Sequence, residues 1–154
     1  MATLNPHYPD MEASNINVYR SDSSKLLFHL QAPKMFQYET NIDTPYTLFP
    51  KGIEIQQYDH YPHATSHLKA DYARYFKKKK LWLLRNNIKI KTRDNRLIFA
   101  EELYWNQNTE KIYSDKNIKI QKGKEVIFGK GFESDQYLEH PKIRKIKGNF
   151  YLND

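Results

Sequence analysis

One four-residue strand opening constrains this chain more than any other feature. Asn87-Ile88-Lys89-Ile90 returns as Asn117-Ile118-Lys119-Ile120, thirty positions later. Looser copies stand at Asn15-Ile16-Asn17-Val18, Gly52-Ile53-Glu54-Ile55 and Gly148-Asn149-Phe150-Tyr151. Each begins with a turn-capable residue and mostly continues apolar, polar, apolar, the reading of a half-buried strand after a turn. Between the copies, Ala70-Asp71-Tyr72-Ala73 precedes Asn87 by seventeen residues, as Ala100-Glu101-Glu102-Leu103 precedes Asn117. Units of roughly 30 to 37 residues that recur in this way mark a stacked array, because a small unit cannot bury its own apolar face.

Turn signals every eight to twelve residues, with β-branched and aromatic residues between them, predict an all-β chain. Asn15 to Arg20, Lys25 to Gln31, Ile53 to Tyr58, Ile88 to Thr92, Arg96 to Trp105, Asn117 to Gln121 and Ile143 to Leu152 read as strands. Ser21 to Ser24, His60 to His63, Asn86-Asn87 and Asp94-Asn95 read as turns, and Pro33 is expected at a strand end, since proline cannot donate in a ladder. The only weak helical candidate is Tyr72 to Phe76. Residues 1–14 carry Pro6 and Pro9 without a period and suggest a loose arm, leaving 15–154 as one domain.

Composition narrows the function. Net charge is +7, so an anionic partner is plausible. With no Cys, a disulfide, a thiolate metal site or a Cys nucleophile is excluded. No apolar run approaches the roughly 20 residues of a membrane span. Met1 to Glu12 is not a signal peptide, and the start reads as mature or trimmed.

Several sharper possibilities lose to plainer ones. His60, His63 and His67 suggest a metal site, but Pro62 sits among them and loop histidines are the better reading, so no metal and no cofactor is expected. Lys77 to Lys80 reads as a charged hairpin tip. Trp82, Trp105 and the Tyr residues among lysines could stack nucleobases, giving the alternative of a basic β-domain that binds nucleic acid or another polyanion. In alternating strands such rings more often cover a sheet face, and no nucleic acid partner is expected. Glu101 and Glu102 point to opposite faces of a strand, whereas Glu133 and Asp135 share one beside a turn. Neither pair makes an acid/base site, no G-x-S-x-G motif is present, and the chain is read as non-enzymatic.

Taken together, Leu48-Phe49-Pro50-Lys51-Gly52-Ile53, Ala70-Asp71-Tyr72-Ala73-Arg74-Tyr75, Lys80-Leu81-Trp82, Glu101-Glu102-Leu103-Tyr104-Trp105, Ile112-Tyr113-Ser114-Asp115 and Gly129-Lys130-Gly131-Phe132-Glu133-Ser134-Asp135 resemble the LptC family. The likeness runs from about Asn15 to Phe150 and is nearest to the Bacteroidetes branch, within the wider OstA-like group that includes LptA. It implies an open, twisted β-jelly roll of stacked antiparallel β repeats, in a periplasmic lipopolysaccharide-transport protein. Such a protein receives the lipid from an inner-membrane ABC transporter, holds its acyl chains between two sheets, and passes it to LptA by end-to-end strand pairing. Family members are attached to the inner membrane, by an anchor this chain does not show. On that basis the inward residues Ile16, Val18, Ile53, Ile55, Ile88, Ile90, Ile118 and Ile120 are expected to line a lipid groove, with Leu30, Leu68, Phe99 and Leu103 as second choices. The last strand, Gly148-Asn149-Phe150-Tyr151, is expected to be the docking edge toward LptA, which a proline at Phe150 should weaken.

Overall fold

A computed structural model describes residues 8–21, 27–40, 42–60 and 63–153, and these form eleven strands and no helix. In chain order the strands are β1 (Met11–Ser21), β2 (Leu27–Tyr38), β3 (Tyr46–Phe49), β4 (Ile53–His60), β5 (His63–Ala70), β6 (Tyr72–Phe76), β7 (Leu81–Thr92), β8 (Arg96–Asn106), β9 (Lys111–Lys122), β10 (Glu125–Asp135) and β11 (Lys142–Tyr151). Tyr72 to Phe76 is therefore strand, held by β3 on one side and β7 on the other. Pairing also begins earlier than Asn15. Met11 already faces Gln37, inside the stretch expected to be a loose arm. Residues 1–7 and most of the Ser21 to Ser24 turn lie outside the described residues, as do Tyr61 and Pro62.

Every pairing is antiparallel, and the long strands serve two layers. Leu27 to Gln31 of β2 pair with β4, whereas Phe36 to Tyr38 pair with β3. Likewise Lys89 to Thr92 of β7 pair with β5, and Leu81 to Arg85 pair with β6. Between β2 and β7 the sheet thus divides into a β4–β5 layer and a β3–β6 layer, which face each other over a single core. Beyond β7 the ribbon runs on through β8, β9 and β10 to β11. It ends there, so β1 and β11 each have one strand neighbour among the described residues.

Two sequence expectations fail at the corners, and for one reason. Asn86-Asn87 is not a turn between strands. Both residues adopt left-handed backbone, at φ 68° and 51°, inside a continuous β7, and the register with β8 slips there. This is a bulge, which bends a strand without ending it. Pro33 sits inside β2, not at its end. It falls where β2 has left β4 after Gln31 and has not yet met β3 at Phe36, so the missing N–H is not called on by either strand. Asn15, Gly52 and Asn87, the leading residues of three repeat copies, all have positive φ. Glycine and asparagine enter that region most cheaply, which is why they lead the copies.

The core follows from pairing parity. One row of directly paired side chains runs Val18, Leu30, Ile55, Leu68, Ile90, Ile98, Ile120, Ile127, from β1 to β10. A second alternates large with small: Ile88, Ala100, Ile118, Gly129, Ile146. Gly129 is required there, because a Cβ would lie 2.2 Å from the Lys145 carbonyl oxygen. Burying each Ile contributes about 1.5–3 kcal/mol, which pins the register, since a one-residue slip would turn the whole row to solvent. In the facing layer Trp82 and Trp105 lie with ring centroids 6.3 Å apart, and Phe28 from β2 meets Trp105 edge-on at 5.7 Å. That contact joins the two layers.

Candidate functional site

The residues expected to line a groove fall largely on this interior face. Leu30, Ile53, Ile55, Leu68, Ile88, Ile90, Leu103 and Ile118 are buried members of one cluster, and Ile16 and Ile120 pack against it half-buried. Across the first nine strands these side chains fill the space between the layers themselves. Val18 faces the same way but sits on the outermost strand and remains 36% exposed.

Phe99 is misplaced by one residue in the sequence reading. Ile98 points inward and is fully buried, while Phe99 pairs with Lys89 and Lys119 on the outward face. Its ring lies 4.6 Å from the Lys119 ammonium. The run Leu97-Ile98-Phe99-Ala100 is apolar throughout, so alternation alone could not choose a face. Counting outward from the Asp94-Asn95 turn would have chosen correctly, because Ile90 and Ile98 stand opposite each other across it.

The interior opens at the end of the ribbon. There Ile120, Ile127, Ile143 and Ile146 floor a concavity of about 470 Å³, rimmed by Arg96, Lys122, Lys142 and Glu125. Ile146 is 62% exposed, a large apolar side chain that this sheet leaves uncovered. Sequence reasoning missed Ile127, Ile143 and Ile146; the last two stand three residues apart in β11, which alternation alone would put on opposite faces. The rim is built by a hairpin tip. Asp94 holds the Arg96 guanidinium at 2.7 Å and the Lys122 ammonium at 3.7 Å. Hydrogen bonds from Arg96 and from the Thr92 hydroxyl keep the Asp94 carboxyl well below the usual carboxylate range. Arg96 also reaches the Glu139 carbonyl oxygen at 3.5 Å, tying the tip to the loop before β11. The mouth can take an apolar chain and present cations to an anionic group at its edge.

Other candidate chemistry is accounted for locally. Glu102 pairs with Arg85 and Glu133 with Arg144, and Asp135 accepts the Glu139 and His140 backbone N–H groups. His67 contacts Glu54 at 3.1 Å, and the side chains of His60 and His63 lie outside the described ones. Among the described residues no three His, Cys, Asp or Glu side chains gather as a metal site. Trp82 and Trp105 are 4% and 2% exposed, so neither indole is presented for base stacking. Lys77 to Lys80 form the exposed turn between β6 and β7. No helix among the described residues is long and apolar enough to cross a membrane.

Along the sheet's outer limit, β11 exposes Phe150 and Tyr151. The Leu152 N–H donates back to the Lys124 carbonyl at 2.7 Å. Antiparallel strands turn alternate N–H groups to opposite sides. Phe150 therefore donates toward β10, and Asn149 and Tyr151 donate toward the open edge.

A comparison with curated proteins found no significant match. The family model described as lipopolysaccharide-assembly, LptC-related, matches residues 2–144, most of the chain. An all-β bent ribbon with an apolar interior and that match agree: the chain belongs to the LptC family of periplasmic lipopolysaccharide-transport proteins.

Proposed function

We propose that this chain is a non-enzymatic relay. It receives lipopolysaccharide from an inner-membrane ABC transporter complex, to which the full-length protein is attached at the membrane. It takes the acyl chains between its two layers, and it passes the lipid to an LptA-like bridge protein docked on the edge of β11. The observation that carries this reading is the Ile and Leu row that spans the sheet and emerges at the mouth, immediately beside the open edge. A lipid entering at Ile120 and Ile146 meets apolar surface continuously from there inward. Each methylene moved from water to such surface gains about 0.8 kcal/mol. Moving from a bilayer to the protein returns almost nothing, so the interior need only match the membrane while the transporter supplies direction. Because the interior is packed over β2 to β9, loading requires the layers to part, starting from the mouth.

Photo-crosslinking residues placed at Ile120 and Ile146 test this in cells with an active transporter. A lipid adduct is expected at both positions and not at Tyr113, which lies half-buried on the outward side of β9 opposite Tyr104. Adducts at Tyr113 but not at Ile120 would overturn the assignment of the interior as the lipid path.

A further inference from the structure

The outward face of the same strands has a composition that the interior pathway leaves without a role. The lysines of the repeated Asn-Ile-Lys-Ile units stand there, interleaved with phenylalanine. Lys89 pairs with Phe99, Phe99 with Lys119, and Lys119 with Phe128 across β7 to β10. Two lysine pairs are directly opposed on neighbouring strands, Lys69 with Lys89 and Lys130 with Lys145. Like charges so placed are destabilising. Glu54 lies 3.6 Å from Lys69 and compensates the first pair in part. Among the described residues Lys89, Lys119, Lys130, Lys145 and Lys147 make no ion pair, and none of those residues compensates the second pair. A surface that accumulates uncompensated cations at fixed positions is prepared for an external anion.

Of these side chains, Lys89, Phe99, Lys119, Phe128 and Lys147 line a concavity of about 800 Å³, and the Lys130–Lys145 pair lies outside it. Lys89, Lys119 and Lys147 supply its charge, and Phe128 and Phe150 supply exposed ring surface, with centroids 6.2 Å apart. Glu101 and Asn117, exposed at the strand bulges, add a carboxylate and an amide to the wall. Cations for a phosphate, ring faces for the C–H side of a sugar, and an acceptor and an amide for hydroxyls form one set. We propose that this outer concavity is a second binding site, which takes a phosphorylated saccharide. Lys89 and Lys119 hold the phosphate, and Phe128 and Phe150 form the platform for the sugar ring. Cα positions two strands apart are about 9.5 Å from one another, a span that two long lysine side chains close around one phosphate. The site lies on the opposite face of the sheet from the acyl path, so it takes the polar part of a separate molecule, and it rests on the transport reading only for the ligand's source.

The test is a titration of the full chain with glucosamine 1-phosphate, followed by amide NMR. Parallel arms use inorganic phosphate, N-acetylglucosamine, and phosphatidylcholine vesicles doped with phosphatidylglycerol. Saturable shifts are expected at Phe99, Lys119 and Phe128 with glucosamine 1-phosphate, and weaker ones with phosphate or the uncharged sugar. The double variant K89Q/K119Q should weaken binding about tenfold or more, with an unchanged or higher melting temperature, because it removes repulsion. F128A, a second variant, should weaken the sugar phosphate while leaving phosphate binding unchanged. Equal binding of inorganic phosphate, preferential binding of the vesicles, displacement by a single-stranded oligonucleotide at lower concentration, or no shifts at all would each overturn the proposal. The probe carries no acyl chain, so its result is separate from that of crosslinking inside the layers.

Discussion

If β11 is the edge on which a partner strand docks, proline at two adjacent positions should act oppositely. Tyr151 is 70% exposed and its N–H points away from β10. Tyr151→Pro therefore deletes one donor to the partner and sets a ring against the incoming carbonyl, leaving the ladder to β10 intact. One backbone hydrogen bond is worth about 0.5–1.5 kcal/mol net, and the steric term adds a comparable amount. Affinity for the LptA-like partner should fall about 5- to 100-fold, whereas the melting temperature of the isolated chain should barely move. Phe150→Pro instead removes a donor that faces β10 and should fray the end of the strand, so it lowers stability as well as binding. It is the less discriminating change, even though the sequence alone marked Phe150 as the edge residue. Titration calorimetry with the partner, together with thermal melts of both variants, decides the matter. Unchanged affinity in Tyr151→Pro, with a normal melt, would refute the assignment of β11 as the docking edge.

Ile98→Ala should destabilise the fold by about 2–5 kcal/mol in urea unfolding, while Phe99→Ala, on the outward face, should cost no more than about 1 kcal/mol, chiefly its contact with Lys119. The reverse order would mean that the parity of β8 is wrong. Asp94 titrates lower in the folded chain than its ordinary value of 3.8, so its pairing supports the fold above that pH and is lost as pH falls through and below it. Asp94→Asn should flatten that part of the acid limb in pH-dependent melts and cost under about 1 kcal/mol at neutral pH, because the pair is partly exposed. An acid limb identical to that of the parent chain would show that the mouth's ion cluster adds nothing to stability.

Much of this architecture was legible in the residues. The Asn-Ile-Lys-Ile copies carry an alternation that only a half-buried strand satisfies, so the all-β class, the inward isoleucines and the outward lysines follow from period alone. Where that period was ambiguous, reading failed in a consistent way. Leu97 to Ala100 offers apolar residues to both faces, and only pairing with β7 assigns Ile98 to the core. Asn86-Asn87 and Pro33 carry the local signals of a chain reversal or a strand end. Those signals report backbone conformation and not what the neighbouring strands do, so a bulge and a corner looked like breaks.

The sequence by itself determined which residues repeat, which alternate, and that the chain cannot rely on a disulfide or a thiolate. Tertiary structure alone decided that the isoleucines of separate repeats meet in one row, that the interior is packed over most of its length and opens beside Ile127 and Ile146, and that β11 has one strand neighbour among the described residues. The reason is physical. Period is a property of one strand and is fixed by its own side chains, whereas register, closure and edges depend on which strands meet, and no single segment carries that information.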